Sequence, residues 1–438
     1  MPARRKVVIL GAGAAGLMAA ARGASLGAEV TVLERNREPG RKLLLSGHGR
    51  CNVTHEGDVP ALVQSIPGNG RFLYSALASF GPELLRAHLL RLGVPTKVER
   101  GNRVFPESDR AETVRDALVR DAVAQGASFS FEERVTELIV SRAPGSGAGP
   151  RVEGVIAAGG RRHPAGAVIV ATGGLAYPGT GSTGDGHGFA RAAGHRIVPP
   201  FPSLVPLVCS EDWVSRIAGL SLRNVTLTAY RPGDPASRPL AREHGEMLFT
   251  HFGLSGPIVL RASRAISHAL ATEGLDAVAV RVDLKPALSP EVLDQRVQRD
   301  FAAASNREFR NSLGGLLPSS LIEPVVELSA IDPQKRVREV TRPERLGLVA
   351  LLKGLSMTVT ATRGFGEAIV TAGGVDTREV NPATMESRLA AGLFFAGEVL
   401  DVDGFTGGFN LQIAFSTGWV AGGAAAAAAA SDQREDIP

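Results

Sequence analysis

The sequence predicts an α/β protein, in which a nucleotide-binding domain with a parallel sheet is interrupted by a β-rich and then helical insertion. Three observations predict it. Residues 6–10 form a short apolar run, Gly11, Gly13 and Gly16 follow in G-x-G-x-x-G spacing, and Glu34 closes a second apolar run. Glycines recur after two later apolar runs, at Thr172-Gly173-Gly174 and at Gly397 beside Glu398. Between these recurrences the pattern shifts to short alternating runs and then to helical periodicity.

Taken in order, 6–10 reads as a strand, 14–26 as a helix and 29–33 as a second strand. In this βαβ unit the glycines allow a tight turn and a close approach of backbone to a pyrophosphate, whose charge rests on the amides of Gly13, Ala14, Ala15 and Gly16 at the helix N-terminus. Glu34, 23 positions after Gly11, ends the second strand where a carboxylate accepts hydrogen bonds from an adenosine ribose. An acid there repels a 2′-phosphate, so the site suits FAD or NAD and not NADP.

A chain of 438 residues exceeds one ordinary core, and two or three domains of about 100–200 residues are expected. No apolar run approaches the roughly 20 residues that span a bilayer, and the basic start at 1–6 is followed by only four apolar residues, Val7 to Leu10, before the glycine turn. No signal peptide, no membrane role and a cytoplasmic setting are therefore expected. The two cysteines, Cys51 and Cys209, fit a reduced compartment, with Cys51 an inert small residue and no C-x-x-C present. The net charge of +4 and pI near 9.3 are a poor argument for nucleic acid. Of 48 basic residues 42 are arginines, scattered among acids, which reads as GC-rich coding bias.

The loop at 40–54 carries three cations and several small polar groups, and Arg41, Lys42, Ser46, Gly47 and Asn52 are candidates to wrap phosphate and ribityl oxygens. Helices are expected at 73–92 and 111–125, with a short strand at 103–106 between them. A hairpin follows at 135–140 and 154–157 across a Pro/Gly/Ser-rich turn at 143–150, then a buried strand at 167–171. A second G-x-G-x-x-G, at Gly179, Gly181 and Gly184, is set apart from its strand and has no strand-ending acid after it. We read it as a loop capping a helix at 185–194, not as a nicotinamide site. Strands are expected at 203–209, 224–230, 246–250 and 277–284, helices at 290–304, 319–329 and 343–355, and strands again at 368–371 and 393–396. Near the end, glycines 404, 407 and 408 precede a helix running to about 421, and an Ala-rich helix at 422–430 leads into a solvated tail. Bare amides at the start of the first of these helices, with a macrodipole of about half a charge, stabilise anionic charge on a reduced flavin. Two separated segments that bring glycines to strand ends, with one ribose acid, favour FAD.

Several stretches together resemble the HI0933-like (BaiN-type) flavoproteins: GAGAAGLMAA, GRKLLLSGHGRCNVT, RVFPES, ATGGLAYPGTGSTGDGHG, PSLVPL, GEMLFTHFGLSGP and GLFFAGEVLDVDGFTGGFNLQ. The resemblance implies a Rossmann-like FAD-binding domain of the glutathione-reductase type at 1–194 and 357–438. It also implies a β-barrel-like insertion at 195–285 and a helical subdomain at 286–356. The implied cofactor contacts are Gly11, Gly13, Ala14, Ala15, Gly16, Glu34, Arg35, Arg41, Lys42, Ser46, Gly47, Asn52, Val135, Thr172, Gly173, Gly397, Glu398, Gly408, Phe409, Asn410, Leu411 and Gln412. Relatives commonly carry Gly where this chain has His48, and Tyr where it has Phe409.

The resemblance further implies FAD-dependent oxidation or reduction of a small organic substrate, with NAD(P)H as a transient reductant. Flavin carries the hydride, so the protein supplies orientation, charge and a proton. His251 is the candidate general acid, with His48 and Tyr177 behind it; no metal site is read. Two alternatives stand: a flavoprotein that binds or modifies structured RNA, for which the pI is the one native hint, and an oxygen-using amine oxidase.

Overall fold

The computed structural model describes residues 6–141, 149–233 and 238–431, so most of the turn at 143–150, the basic start and the terminal tail lie outside the described residues. It divides into two units, Met1–Pro202 with Ala368–Pro438, and Ser203–Glu367.

The first unit is built on five parallel strands. In space they run Leu393–Phe395, Ala167–Val170, β1 (Lys6–Leu10), β2 (Glu29–Leu33) and Ser128–Ser130. Numbered along the chain and read from the Ser128–Ser130 edge this is 3-2-1-4-5, so the strand order reverses between β1 and Ala167–Val170, the crevice where such sheets bind ligands. Val7 to Leu10 are all buried, which is why β1 reads as a continuous apolar run and not an alternating one: both faces of the strand are covered. The strand beginning at Val135 belongs to a small three-stranded sheet beside this one.

Helix α1 (Ala14–Ser25) crosses from β1 to β2. The C-terminal helix, Phe409–Ser431, is one continuous 23-residue element and not two. Its stretch Phe409–Ala430 is long and apolar enough to cross a membrane by length and composition, with mean hydropathy 1.3, which corrects the expectation of no such segment. The expectation rested on apolar runs, whereas this helix owes its hydropathy to Ala and larger apolar residues, with Asn, Gln, Ser, Thr and Gly interspersed among them. It is a core helix: a Cβ on Gly418 would stand 2.3 Å from the Ala15 carbonyl oxygen, and one on Gly422 2.4 Å from that of Ala19.

The second unit holds a closed antiparallel barrel of six strands, in the order Leu207–Cys209, Gly253–Ser255, Ala241–Thr250, Ser221–Tyr230, Val278–Asp283 and Leu355–Thr362. The helices Pro290–Ala303, Ser319–Leu328 and Arg342–Lys353 share its core: Leu293, Leu321 and Leu348 pack in one cluster with Leu227, Phe249 and Val280. Barrel and helices therefore lie in one compact unit, the helices expected within 286–356 packing on the barrel's core. The unit's edges move as well. Ile197–Ser203 pairs with Val370–Val375 in the first unit, while Leu355–Thr362 is a barrel stave that the sequence reading assigned mostly to the nucleotide domain.

Two further differences have local causes. The single helix expected at 73–92 is two, Tyr74–Ser79 and Pro82–Arg91, because Gly81 and Pro82 make a helix start in the middle. The helix Pro257–Ala271 was not anticipated, although Ile258, Ala262, Ile266 and Ala269 form a buried stripe at helical spacing behind Gly256-Pro257.

Gly418→Leu is expected to cost about 3 kcal/mol or more, since the atom it meets is backbone and cannot swing aside. Gly423→Ala, whose Cβ would find nothing nearer than 3.6 Å, should be neutral or slightly stabilising. Thermal unfolding by circular dichroism checks the pair, and equal Tm values for both variants would refute the close helix contact.

Candidate functional site

The three glycines at the end of β1 have three different jobs. Gly11 has φ +97° and donates its N–H to the Leu33 carbonyl at 2.9 Å; a side chain there is strained and would meet the Ala171 carbonyl. A Cβ on Gly16 would fall 1.9 Å from the Gly11 carbonyl oxygen, so this glycine lets α1 pack onto its own turn. A Cβ on Gly13 would meet nothing within 4 Å: its small size leaves open space in front of the helix. Leu17 donates the first helical bond, to Gly13 at 2.9 Å, and no side chain caps the helix and no acid lies in its first turn. The amides of Ala14, Ala15 and Gly16 are the orphan donors of this end. Open space in front of uncapped amides fits a pyrophosphate.

Glu34 is 6% exposed. It accepts from the Ala12 amide at 2.7 Å, the Asn36 amide at 2.8 Å and Asn36 Nδ2 at 2.7 Å. Of about four acceptor positions on a carboxylate, three hold the turn, leaving one for a ribose hydroxyl. Glu34 is thus a staple of the glycine loop, a role its spacing did not reveal. Arg35 donates to Thr183 Oγ1 and pairs with Asp185 at 3.4 Å, and Asn36 Nδ2 donates to the Thr180 carbonyl at 3.0 Å. The second glycine loop is held against the end of β2 by these contacts, and the Arg35 guanidinium is already engaged.

In the 40–54 loop, helix α2 (Arg41–Leu45) starts after Gly40, whose amide donates to Ala12 at 2.9 Å. Arg41 donates to Asn36 Oδ1 at 3.1 Å, and Lys42 forms a 2.6 Å ion pair with Glu398. Ser46 donates to the Leu43 carbonyl at 2.6 Å. Gly47 and His48 both have positive φ, +58° and +57°, which explains why glycine is the strain-free residue at position 48. Asn52 Oδ1 is buried with no hydrogen-bond partner among the described residues, and so is Thr172 Oγ1, beyond the end of Ala167–Val170 beside Gly173. Two orphaned polar atoms on segments flanking the crevice are what an absent polar ligand leaves behind.

At the C-terminal helix, a Cβ on Gly408 would sit 2.3 Å from the Thr54 carbonyl oxygen. Gln412 donates the first helical bond to Gly408 at 3.0 Å, so the amides of Phe409, Asn410 and Leu411 are orphans. The side chains next to them are engaged inside the protein. Asn410 Oδ1 accepts from the Gly404 amide and its Nδ2 donates to the Gly404 carbonyl, both at 2.8 Å. Gln412, fully buried, accepts from Thr54 Oγ1 at 2.6 Å and donates to Phe80 and Ser416. For these two residues a ligand meets backbone, not side chain. The Phe409 ring stacks on His55 with centroids 4.5 Å apart, and His55 Nδ1 donates to the Gly407 carbonyl at 3.2 Å. Gly397 donates to Thr417 Oγ1 at 2.9 Å, and its missing Cβ makes room for Ala15.

The pairing of Ala15 with Gly418 and of Ala19 with Gly422 makes the two helices parallel. Both N-termini face the same way, and the C-terminal helix begins about 12 Å ahead of α1 at 1.5 Å per residue. One uncapped helix end thus stands at the glycine turn and the other farther along in the same direction.

His251 is exposed, in the turn between Ala241–Thr250 and Gly253–Ser255, with its ring edge-on to Phe252 at 4.9 Å. It belongs to the second unit, whereas every residue of the cofactor set, Val135 included, belongs to the first. Sequence reasoning missed Asn36, His55 and Thr371. Thr371 Oγ1 accepts from the amides of Leu175 and Ala176 at 2.8 and 3.0 Å, and no local pattern signals it. Both cysteines are free thiols; burial pushes each up to about 12.

A parallel sheet in 3-2-1-4-5 order, a glycine turn open to a pyrophosphate at its switch point and a second bare helix end define a Rossmann-type FAD flavoprotein. The chain belongs to the HI0933-like family, whose model, described as "HI0933-like protein Rossmann domain", matches residues 5–424. It is similar to a 3-dehydro-bile acid delta(4,6)-reductase of Clostridium scindens, 36% identical over 96% of this chain and 98% of the relative. It is also similar to a ribosomal RNA dihydrouridine synthase of Haemophilus influenzae, 32% identical over 94% of this chain and 96% of the relative. Among solved structures, a flavocytochrome c3 fumarate reductase superposes with TM-score 0.51 at 17% identity, covering 97% of this chain and 78% of that one. A 3-ketosteroid delta1-dehydrogenase from Sterolibacterium denitrificans does so with TM-score 0.50 at 14% identity, covering 97% and 100%. These two share the fold. The protein is an FAD-dependent oxidoreductase.

Two outcomes test the site. Gly13→Val should leave the stability of the FAD-free protein unchanged yet weaken FAD binding at least tenfold, about 1.4 kcal/mol, while Gly16→Ala should destabilise the fold itself; fluorescence titration and thermal melts separate them, and unchanged affinity in Gly13→Val would move the pyrophosphate elsewhere. With both thiols raised to about 12, iodoacetamide at a pH near 8.5, the ordinary thiol pKa, should label neither cysteine in the native protein and both after denaturation. Rapid native labelling of Cys51 by mass spectrometry would reverse its assignment as an inert residue.

Proposed function

We propose that this protein reduces a carbon–carbon double bond conjugated to a carbonyl in a small organic substrate, with FAD reduced by NAD(P)H. The observation that carries the reading is the bare N-terminus of the C-terminal helix, Phe409 to Leu411. Bound flavin would supply hydride transfer. The chain holds the adenosine end with Glu34, receives pyrophosphate charge on the amides of Ala14 to Gly16, and offers the orphan acceptor Asn52 Oδ1 to a donor on the cofactor. Helix-end amides favour a cofactor that becomes more anionic as it accepts hydride, by about 0.3–1 kcal/mol when exposed and up to about 2 when partly buried. Two free thiols, Cys51 and Cys209, suit a cytoplasmic enzyme.

The relatives' names support the reading through shared chemistry. A delta(4,6)-reductase of a 3-dehydro-bile acid and a dihydrouridine synthase both saturate a double bond in conjugation with a carbonyl. The same names favour a second reading, in which the double bond belongs to a base of ribosomal RNA: two relatives, 32% and 31% identical, carry that activity.

The test is anaerobic. NADH or NADPH should bleach the flavin absorbance, and 4-androstene-3,17-dione, a conjugated steroid ketone, should restore it while gaining one hydride and one proton. Reoxidation by unmodified ribosomal RNA, with a rate that falls steeply as salt rises, would replace the first reading by the second. Reoxidation by oxygen alone, after reduction by an amine, would replace both.

A further inference from the structure

The loop that leaves the ligand-binding end of Ala167–Val170 contains a costly conformation. Tyr177 has φ +53° and ψ +60°, in the left-handed region, and is followed by Pro178. A bulky residue at positive φ is an outlier, and a residue before proline is normally pushed to extended backbone. Such strain persists only where the surroundings over-determine it, and it clusters at functional sites.

The surroundings are specific. Before Tyr177, the amides of Leu175 and Ala176 are both held by Thr371 Oγ1, and the Thr371 amide donates to Glu398 Oε1 at 3.0 Å. Glu398 Oε2 accepts from Lys42 at 2.6 Å. After it, Thr180 donates to the Tyr177 carbonyl from both its amide and its hydroxyl, each at 2.8 Å, and the Gly184 amide closes the loop on the Gly174 carbonyl at 3.1 Å. A chain of bonds thus runs from α2 through the Gly397-Glu398 turn to this tyrosine. Its ring is half-buried, and its hydroxyl has no hydrogen-bond partner among the described residues. The alternatives at this edge are engaged or masked: His55 Nδ1 is bound to Gly407, and His187 is buried, its imidazole pushed below the usual range by burial. Of the other two tyrosines, Tyr74 lies on an exposed helix face and Tyr230 in the second unit.

We propose that Tyr177 is the general acid of the reduction, with Thr371 and Glu398 as its positioning residues; this rests on the conjugated double-bond reading above. As hydride from reduced flavin forms the C–H bond at the β-carbon, the π pair of the double bond moves toward the α-carbon and takes the phenol proton of Tyr177. The O–H bond breaks, the substrate gains two hydrogens, the flavin is oxidised, and the phenolate regains a proton from water.

The experiment uses the full chain loaded with FAD, reduced anaerobically, then mixed with either 4-androstene-3,17-dione or the dye dichlorophenolindophenol, which needs no protonation at carbon. Tyr177→Phe should slow steroid reduction roughly hundred- to thousand-fold, the usual scale of general acid catalysis, with FAD affinity and dye reduction unchanged. In heavy water the wild type should place deuterium on one face of the α-carbon and Tyr177→Phe on both. Thr371→Val should slow steroid reduction, and Thr371→Ser should restore it. Unchanged steroid reduction in Tyr177→Phe would overturn the proposal, and so would an equal loss of dye reduction or FAD affinity, which would make Tyr177 a cofactor contact. A wild type that reduces the dye and not the steroid would instead overturn the substrate reading and the proposal with it.

Discussion

The contact on which the rest of the first unit depends is the approach of the C-terminal helix to α1, backbone against backbone, through Gly418 on Ala15 and Gly422 on Ala19. Helices that touch this closely in parallel have their dipoles aligned, an arrangement with no electrostatic benefit of its own. Its consequence is directional: two positive ends point the same way, one at the glycine turn and the other beyond it. Two facing helix ends without acids or side-chain caps leave a field that an anionic dinucleotide completes.

Side chains in the site mostly bind one another. Glu34 holds Ala12 and Asn36, Lys42 holds Glu398, Arg35 holds the 181–185 segment, and Asn410 and Gln412 hold the turn and helix around them. What these bonds leave unengaged are helix-end amides, the space in front of Gly13 and the unpartnered oxygens of Asn52 and Thr172. This division follows from geometry. Backbone donors fixed by helix and turn are pre-organised and need no reordering when charge develops, while the paired side chains fix the turns that carry them.

The βαβ unit was legible because its information is local. The apolar run, the three glycine positions and the strand-ending acid lie within one short stretch, and each has a single steric or electrostatic reason. Helix starts such as Thr341 with Glu344, whose reciprocal capping bonds are both present, are local in the same way. The reading failed where a local pattern admitted two outcomes. Residues 73–92 carried a helical stripe, yet Gly81-Pro82 begins a new helix; the stripe at 258–269 was overlooked behind a loop-like Gly-Pro pair.

Composition, the order of elements, the nucleotide turn and its acid were determined by the sequence itself, since they depend on residues that are neighbours along the chain. The tertiary structure decided what depends on residues far apart. It closed the barrel with Leu355–Thr362, merged the helices into that barrel's core, joined Lys42 to Glu398, and set Thr371 beneath the loop of Tyr177. It also showed which side chains of the expected site were already engaged. Hydrogen bonds and close packing have a range of a few ångströms in space and no fixed separation in sequence, so only the folded chain assigns their partners.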